Sequence, residues 1–323
     1  MGGVTTSGWP LPVTTAATTL FGIRYPVIQA GMVWTAGWRL AVAVSEAGGL
    51  GLIGAGSMST DLLREHVRKA KAATRAPFGV NIPLARGDAD DLVRTTVEEG
   101  VRIVFTSSGH PAKFTRMLKD AGCTVVHVIA AVKHGLKAAE AGCDAVVAEG
   151  FEAGGHNGVD EMTTLALVPQ VVDAITLPVI AAGGIADGRG LAAVLALGAD
   201  AAQVGTRFAA TVEASAHETY KQAVVSAGDT DTVLTMKQVV PVRMLKTPFT
   251  KRVQQAEREG ADKAALLAML GEKRERKGIF EGNLEEGMFE AGQSAGLVRE
   301  ILPAAEVVRS MMAEYHAVKG KMP

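Results

Sequence analysis

The chain has 323 residues, 48% hydrophobic and 21% charged, with a formal net charge of -1 at pH 7. That composition supplies a sizeable core and excludes extensive disorder, and the even mixing of charges excludes a phosphate-backbone binder, so no nucleic-acid partner is expected. Two cysteines without CxxC or zinc-ligand spacing exclude a disulfide scaffold and leave no metal site, and no apolar run approaches the roughly 18 residues of a membrane span, so a cytoplasmic protein with no membrane partner is expected.

Residues 1–18 lack a basic stretch followed by an apolar one, so a signal peptide is not expected there. Gly2 fits a myristoylation pattern, but the simpler reading is a flexible N-terminal arm. Eight short apolar runs follow: PVIQA (26–30), GLGLIG (49–54), FGVNI (78–82), RIVFTS (102–107), TVVHVI (124–129), DAVVAEG (144–150), PVIAAGG (178–184) and DAAQVG (200–205). They are too short for helices and rich in Val, Ile and Ala, which is how strands buried on both faces read. Amphipathic stretches such as TDLLREHVRKAKAAT (60–74) and GRGLAAVLAL (188–197) separate them, and glycines in SEAGG, VEEGV, KDAGC, AEAGC and LALGAD close the helices. Eight strand–helix units in the α/β class predict a (β/α)8 TIM barrel over residues 19–205 and 291–318. The alternation alone also allows a doubly wound open sheet. Cys123 and Cys143 each follow a helix-ending glycine, which places them at the N-terminal face as buried structural thiols. Beyond strand eight, residues 206–290 are more polar, with dense charge of both signs over 250–278, and predict a helical insertion or lid.

In such a barrel the chemistry belongs at the C-terminal strand ends. Gln29-Ala30-Gly31-Met32, Asn81, Ser107-Ser108-Gly109-His110, His127, Glu149, Gly183-Gly184 and Gln203-Val204-Gly205-Thr206 fall there. Glycines after strands seven and eight let backbone N–H groups approach a phosphate, and Thr206 adds a hydroxyl. Asn81 and Gln203 each offer a donor and an acceptor, which suits the edges of a planar heterocycle, although they could instead pair with loop backbone. A flavin mononucleotide would use both features.

GIRYPVIQAGM, PFGVNI, AEGFEAGGHNG, VIAAGGIADGRG, ALGADAAQVGTRF and AGQSAGLV together resemble the nitronate monooxygenase (2-nitropropane dioxygenase) family of FMN-dependent barrels. That family has relatives among FMN-dependent enoyl-ACP reductases and NADH:quinone reductases. The resemblance implies FMN contacts from Gly31, Met32, Asn81, Ser107, Glu149, Gly154, Gly155, Gly183, Gly184, Gln203, Gly205 and Thr206, and a catalytic role for His156. Glu152 reads equally as a solvated loop carboxylate. The implied activity is oxidation of alkyl nitronates with O2 to carbonyl compounds and nitrite, His156 holding the anion or removing the α-proton of a neutral nitroalkane. PVRMLKTPF (241–249) resembles the enoyl-ACP reductase branch, so the alternative is NAD(P)H-dependent reduction of a quinone or an enoyl thioester, with Arg243, Lys246 and Lys251 as candidates for holding the nicotinamide cofactor. A non-catalytic FMN-binding barrel is the second alternative. A small-molecule substrate is expected, and a homodimer is allowed.

Overall fold

A computed structural model of the chain describes residues 8–321. Residues 1–7 of the expected arm, and with them the Gly2 pattern, lie outside the described residues. The strands are β1 (Val27–Gln29), β2 (Gly51–Gly54), β3 (Phe78–Pro83), β4 (Ile103–Ser107), β5 (Thr124–Ile129), β6 (Ala145–Glu149), a two-residue β7 (Gly155–His156), β8 (Val179–Ala182) and β9 (Ala201–Val204). The helices through this region are α1 (Ala16–Phe21), α2 (Trp38–Glu46), α3 (Thr60–Ala73), α4 (Ala89–Glu98), α5 (Thr115–Asp120), α6 (Val132–Glu140), α7 (Thr164–Ala174) and α8 (Gly188–Ala196).

All strands but β7 form one parallel sheet in the order β1-β9-β8-β6-β5-β4-β3-β2. A parallel bridge between Ile28 and Leu50 brings β2 back to β1, with Gln29 N donating to Leu50 O at 2.9 Å and Leu50 N to Val27 O at 3.0 Å. The ring closes, so the fold is the eight-stranded barrel and not the open sheet. Alternation divides its side chains. Ile28, Leu52, Phe105, Val126, Val147 and Ile180 fill the interior, whereas Val27, Ile53, Val80, Val104, Val125 and Val146 face the helices in the larger core.

Residues 8–18, expected to be part of a flexible arm, take part in the barrel. The capping box of Thr15 and Thr18 starts α1, and Ala17 and Phe21 enter the interior cluster. The Phe21 ring lies 5.9 Å from that of Phe105, and the Tyr25 hydroxyl donates to Pro10 O at 2.7 Å. Helix α1 therefore floors the barrel. Both thiols are free and buried as expected. Cys123 Sγ donates to Val101 O at 3.4 Å, and burial raises the pKa of each.

The segment after β9 carries α9 (Thr206–Ala209), α10 (Glu218–Val225), α11 (Pro248–Arg258) and α12 (Lys263–Leu270), but also β10 (Thr232–Thr235) and β11 (Val242–Leu245). These strands pair with β7 in an antiparallel sheet of order β10-β11-β7. A wholly helical insertion is thus an incomplete expectation. Strand β11 is defined by pairing with Gly155 and His156, far away in sequence, and local periodicity does not contain that partner. The last helix, α13 (Ala304–Lys319), returns to pack on α8 and α2.

Gly188 opens α8 where α13 crosses it. A Cβ there would collide with backbone at Tyr315 N and Met311 O. Helix propensity alone favours alanine over glycine by about 1 kcal/mol, whereas overpacking of a tight contact costs about 1–3 kcal/mol. The contact wins because the atoms in the way are backbone. Gly188→Ala is expected to lower the urea midpoint of unfolding, and an unchanged or raised midpoint would show that α13 yields without cost.

Candidate active site

The C-terminal ends of the strands open into one cavity of about 1380 Å³, lined by His156 and by every residue expected to contact the flavin, whereas Gln29 is buried beneath it and bonded to the Leu52 backbone. Gly31 and Met32 follow β1, Asn81 lies in β3, Ser107 ends β4 and Glu149 ends β6. Gly154, Gly155 and His156 come from the β7 region, Gly183 and Gly184 follow β8, and Gln203, Gly205 and Thr206 span β9 and the start of α9. Barrel closure brings them together: β9 lies beside β1 and β8, so Gln203 neighbours Ile28 and Ala182 in register.

The floor of this cavity holds polar groups without protein partners. Asn81 and Gln203 are 8% and 7% exposed, yet among the described residues neither side chain makes a hydrogen bond, so pairing with loop backbone does not account for them. Glu149 makes none either, and burial raises its carboxyl from the ordinary 4.5 to about 7. Polar groups so placed lose hydration without replacement. A ligand with complementary edges would restore those bonds.

Beside them lies a set of free N–H groups. Gly183 and Gly184 take φ of 95° and 74°, a left-handed path that L side chains rarely adopt. A Cβ on Gly183 would also lie 2.6 Å from Gly150 O, and one on Gly184 would point at Glu152. These glycines are required by the backbone path, which leaves their N–H groups, and that of Gly205, without a protein acceptor among the described residues. Thr206 Oγ1 accepts from Gly292 N at 2.9 Å, so its own hydrogen is available to donate. Unpaired N–H groups and a hydroxyl suit a phosphate.

Gly154 has a different reason to be glycine. A Cβ there would lie 2.6 Å from the Ala291 carbonyl carbon and from Gly292 N, so it lets the loop pack under the segment after β11. Glu152 is not a solvated carboxylate: it accepts from Thr164 N at 3.0 Å and from Thr164 Oγ1 at 3.1 Å, anchoring the start of α7. His127 is a satisfied core histidine, 2.7 Å from Thr106 Oγ1, with a pKa lowered to about 4 chiefly by burial. Arg243 is 4% exposed and donates to Phe151 O at 2.9 Å. It is fully engaged in holding the roof and cannot reach out to a nicotinamide cofactor.

His156 opens onto the cavity, and its imidazole makes no hydrogen bond among the described residues. Desolvation lowers its pKa, opposed in part by Glu275, so the imidazole is neutral near pH 7. Sequence reasoning missed Glu290 and Tyr220, which line the same cavity from the segment after β9. Tyr220 Oη donates to Glu290 O at 2.6 Å, while Glu290 Oε1 is buried without a partner. Glu290 immediately precedes the AGQSAG stretch, and that adjacency was the one available signal.

A family model described as nitronate monooxygenase matches residues 14–314. FabK from Thermotoga maritima superposes with a TM-score of 0.91 at 45% identity, covering 96% of this chain and 98% of the other. A Mycobacterium tuberculosis protein named (3aS,4S,5R,7aS)-5-hydroxy-7a-methyl-1-oxo-octahydro-1H-indene-4-carboxyl-CoA dehydrogenase is 35% identical, over 93% of this chain and 95% of its own. A nitroalkane oxidase from Streptomyces ansochromogenes superposes with a TM-score of 0.82 at 30% identity, covering 95% and 99%.

The raised carboxyl of Glu149 makes stability depend on pH. Below pH 4.5 native and unfolded chains both hold the proton, and the group costs nothing. Between about 4.5 and about 7 the unfolded chain ionises first, so stability falls as pH rises. In the ligand-free protein, Glu149→Gln is expected to match the wild type near pH 4 and to exceed it at pH 8, by on the order of 2 kcal/mol. Denaturant titrations at both pH values check this, and equal stability at pH 8 would mean Glu149 is well solvated.

Proposed function

The chain belongs to the nitronate monooxygenase family, and from that membership we propose an FMN-dependent oxidoreductase that reduces the carbon–carbon double bond of an α,β-unsaturated acyl thioester. The observation that carries the cofactor assignment is the floor of the cavity: Asn81, Gln203 and Glu149 without partners, beside the free N–H groups of Gly183, Gly184 and Gly205. One planar heterocycle with one phosphate satisfies both sets. When bound, FMN supplies hydride chemistry that no side chain can. The protein's share is to bind and orient. Asn81, Gln203 and Glu149 would hold the ring edges, and the glycine N–H groups with Thr206 would hold the phosphate.

His156 favours the thioester over an anion. A neutral imidazole donates a hydrogen bond to a carbonyl oxygen, whereas attraction of a nitronate would call for the imidazolium. Likeness to FabK, the enoyl-ACP reductase, at 45% identity supports the same choice, and the Mycobacterium tuberculosis relative at 35% is also named for a carboxyl-CoA thioester. Hydrogen bonding to the thioester carbonyl draws electron density toward oxygen and leaves the β-carbon ready to accept hydride. The electrons come from NAD(P)H, the co-substrate. The second reading, nitronate or nitroalkane oxidation, is favoured by the nitroalkane oxidase likeness, since a neutral His156 is a competent base for the α-proton of an uncharged nitroalkane.

Heat-denatured protein is expected to release FMN, and FAD or no flavin in the supernatant would remove the site assignment. Under anaerobic conditions NADH or NADPH is expected to bleach the flavin, and crotonyl-CoA to restore its colour. Bleaching by an alkyl nitronate, with no response to the thioester, would hand the assignment to the second reading.

His156→Ala is expected to keep its flavin while losing about 10²–10³ in the thioester half-reaction, the usual loss for a carbonyl-stabilising donor. Stopped-flow reoxidation by crotonyl-CoA measures it, and a rate within twofold of wild type would return His156 to the role of a loop histidine.

A further inference from the structure

Strand pairing places a second functional group beside His156. On β11, Val242 pairs with His156 and Arg243 with Gly155, and Met244 forms an antiparallel bridge with Glu290. Val242 and Met244 are two residues apart and share a face, and directly opposed antiparallel residues point the same way. The side chains of His156 and Glu290 therefore project from one face of the roof, their backbones roughly 7 Å apart along the strand, and both line the cavity. That is the spacing needed to address neighbouring atoms of one substrate.

Glu290 is free to act. Its Oε1 is buried with no partner, and no ion pair involves it among the described residues. Its Oε2 lies over Gly155, where a Cβ would approach to 3.1 Å. Any side chain at position 155 would crowd this carboxyl, so Gly155 is the saddle on which it rests. Tyr220 on α10 donates to the Glu290 backbone carbonyl, so its hydroxyl is already committed.

We propose that Glu290 is the proton donor of the reaction, delivering a proton to the α-carbon of the substrate from the roof, opposite the floor groups that would hold the flavin. The proposal rests on the thioester-reductase reading and adds to it the origin of the proton. Hydride adds to the β-carbon, the electrons of the double bond form the new α C–H bond with the proton of Glu290, and a carboxylate remains. Solvent returns the proton after product leaves, and NAD(P)H is the source of the two electrons.

The groups facing Glu290 leave it protonated at neutral pH. Burial raises its carboxyl to about 8, and the charge of Glu275, from the turn ahead of residues 276–280, adds to the rise. His156 on β7 is held neutral and Tyr220 lies far above neutrality. Glu149 is also raised, to about 7, but it ends β6 in the floor, among the groups that meet the cofactor. Of the acids on the cavity wall, Glu290 combines a retained proton with a place beside His156.

The test uses the flavin-loaded protein and its Glu290→Gln variant. Wild-type reoxidation by crotonyl-CoA is expected to fall as pH rises through about 8, because the acid must hold its proton. The variant is expected to bind FMN, to accept hydride from NAD(P)H, and to lose about 10²–10⁴ in the thioester half-reaction, with no remaining alkaline limb. Infrared difference spectra between pH 7 and pH 10 are expected to show a protonated-carboxyl band that is larger in the wild type than in the variant, where Glu149 alone of the two contributes. If Glu290→Gln loses its flavin, Glu290→Asp replaces it: the carboxyl is kept but drawn back, and a slowed half-reaction with the alkaline limb retained supports the proposal. A variant with wild-type reoxidation, or a wild-type carboxyl band no larger than the variant's, overturns it. If the wild type fails to react with the thioester, the reductase reading falls and this proposal with it, whereas failure of the variant's predictions alone leaves that reading standing.

Discussion

A two-residue ladder organises the site. Gly155 and His156 leave the barrel after β6 and pair with Arg243 and Val242, which belong to a segment that begins only after the last barrel strand. Two residues of pairing are weak alone, since an isolated two-stranded ribbon is marginal. Here they are reinforced from both sides. Arg243 donates to Phe151 O and lies 5.1 Å from the centre of that ring, and Asn157 N donates to Pro241 O at 2.9 Å. Beneath, the close approach of Gly154 to Ala291 and Gly292 fixes how low the roof sits. The height of the roof decides what the cavity can hold, and the orientation of His156 follows from it.

The barrel below was legible in the sequence because its signals are local. Buried parallel strands show as apolar runs, and glycines such as Gly48, Gly122 and Gly142, all at positive φ, mark the helix ends that precede them. Closure of the ring and the union of Asn81, Glu149, Gly183 and Gln203 at one end then follow from topology alone. The reason for two of the glycines needed refinement. Gly183 and Gly184 were expected because a phosphate would approach them, but the backbone path requires them even without a ligand, and the free N–H groups result from that path.

What the sequence concealed depends on contacts between distant segments. Glu152 in EGFEAGG looks solvated until Thr164 is brought over it. Arg243 looks like a surface cation until β11 is inserted between β10 and β7. Glu290 carries no local mark of burial, since EAGQ reads as an ordinary polar turn, and its isolation becomes visible only when β11, Gly155 and Tyr220 surround it. In each case the residue type was plain and its partner was not. The same explains the missed strands: β10 and β11 are four residues each, within reach of any loop prediction, and become strands through β7.

The shifts of His156, Glu149 and Glu290, three of the titratable groups on the cavity wall, agree in sense. Desolvation lowers His156 and raises Glu149 and Glu290, so each moves toward its neutral form. Opposite charges in contact would have shifted a histidine up and a carboxyl down, and neither occurs. No ion pair joins these groups, and each remains free to exchange a hydrogen bond or a proton with what enters. These three neutral groups bring no charge to attract an anion, but they offer hydrogen bonds to a polarisable carbonyl. It also separates tasks by height: the floor groups come from strand ends fixed by barrel closure, whereas His156 and Glu290 come from a roof fixed by a short ladder. A change in the insertion can therefore alter the chemistry directed at the substrate while leaving the floor and its ligand in place.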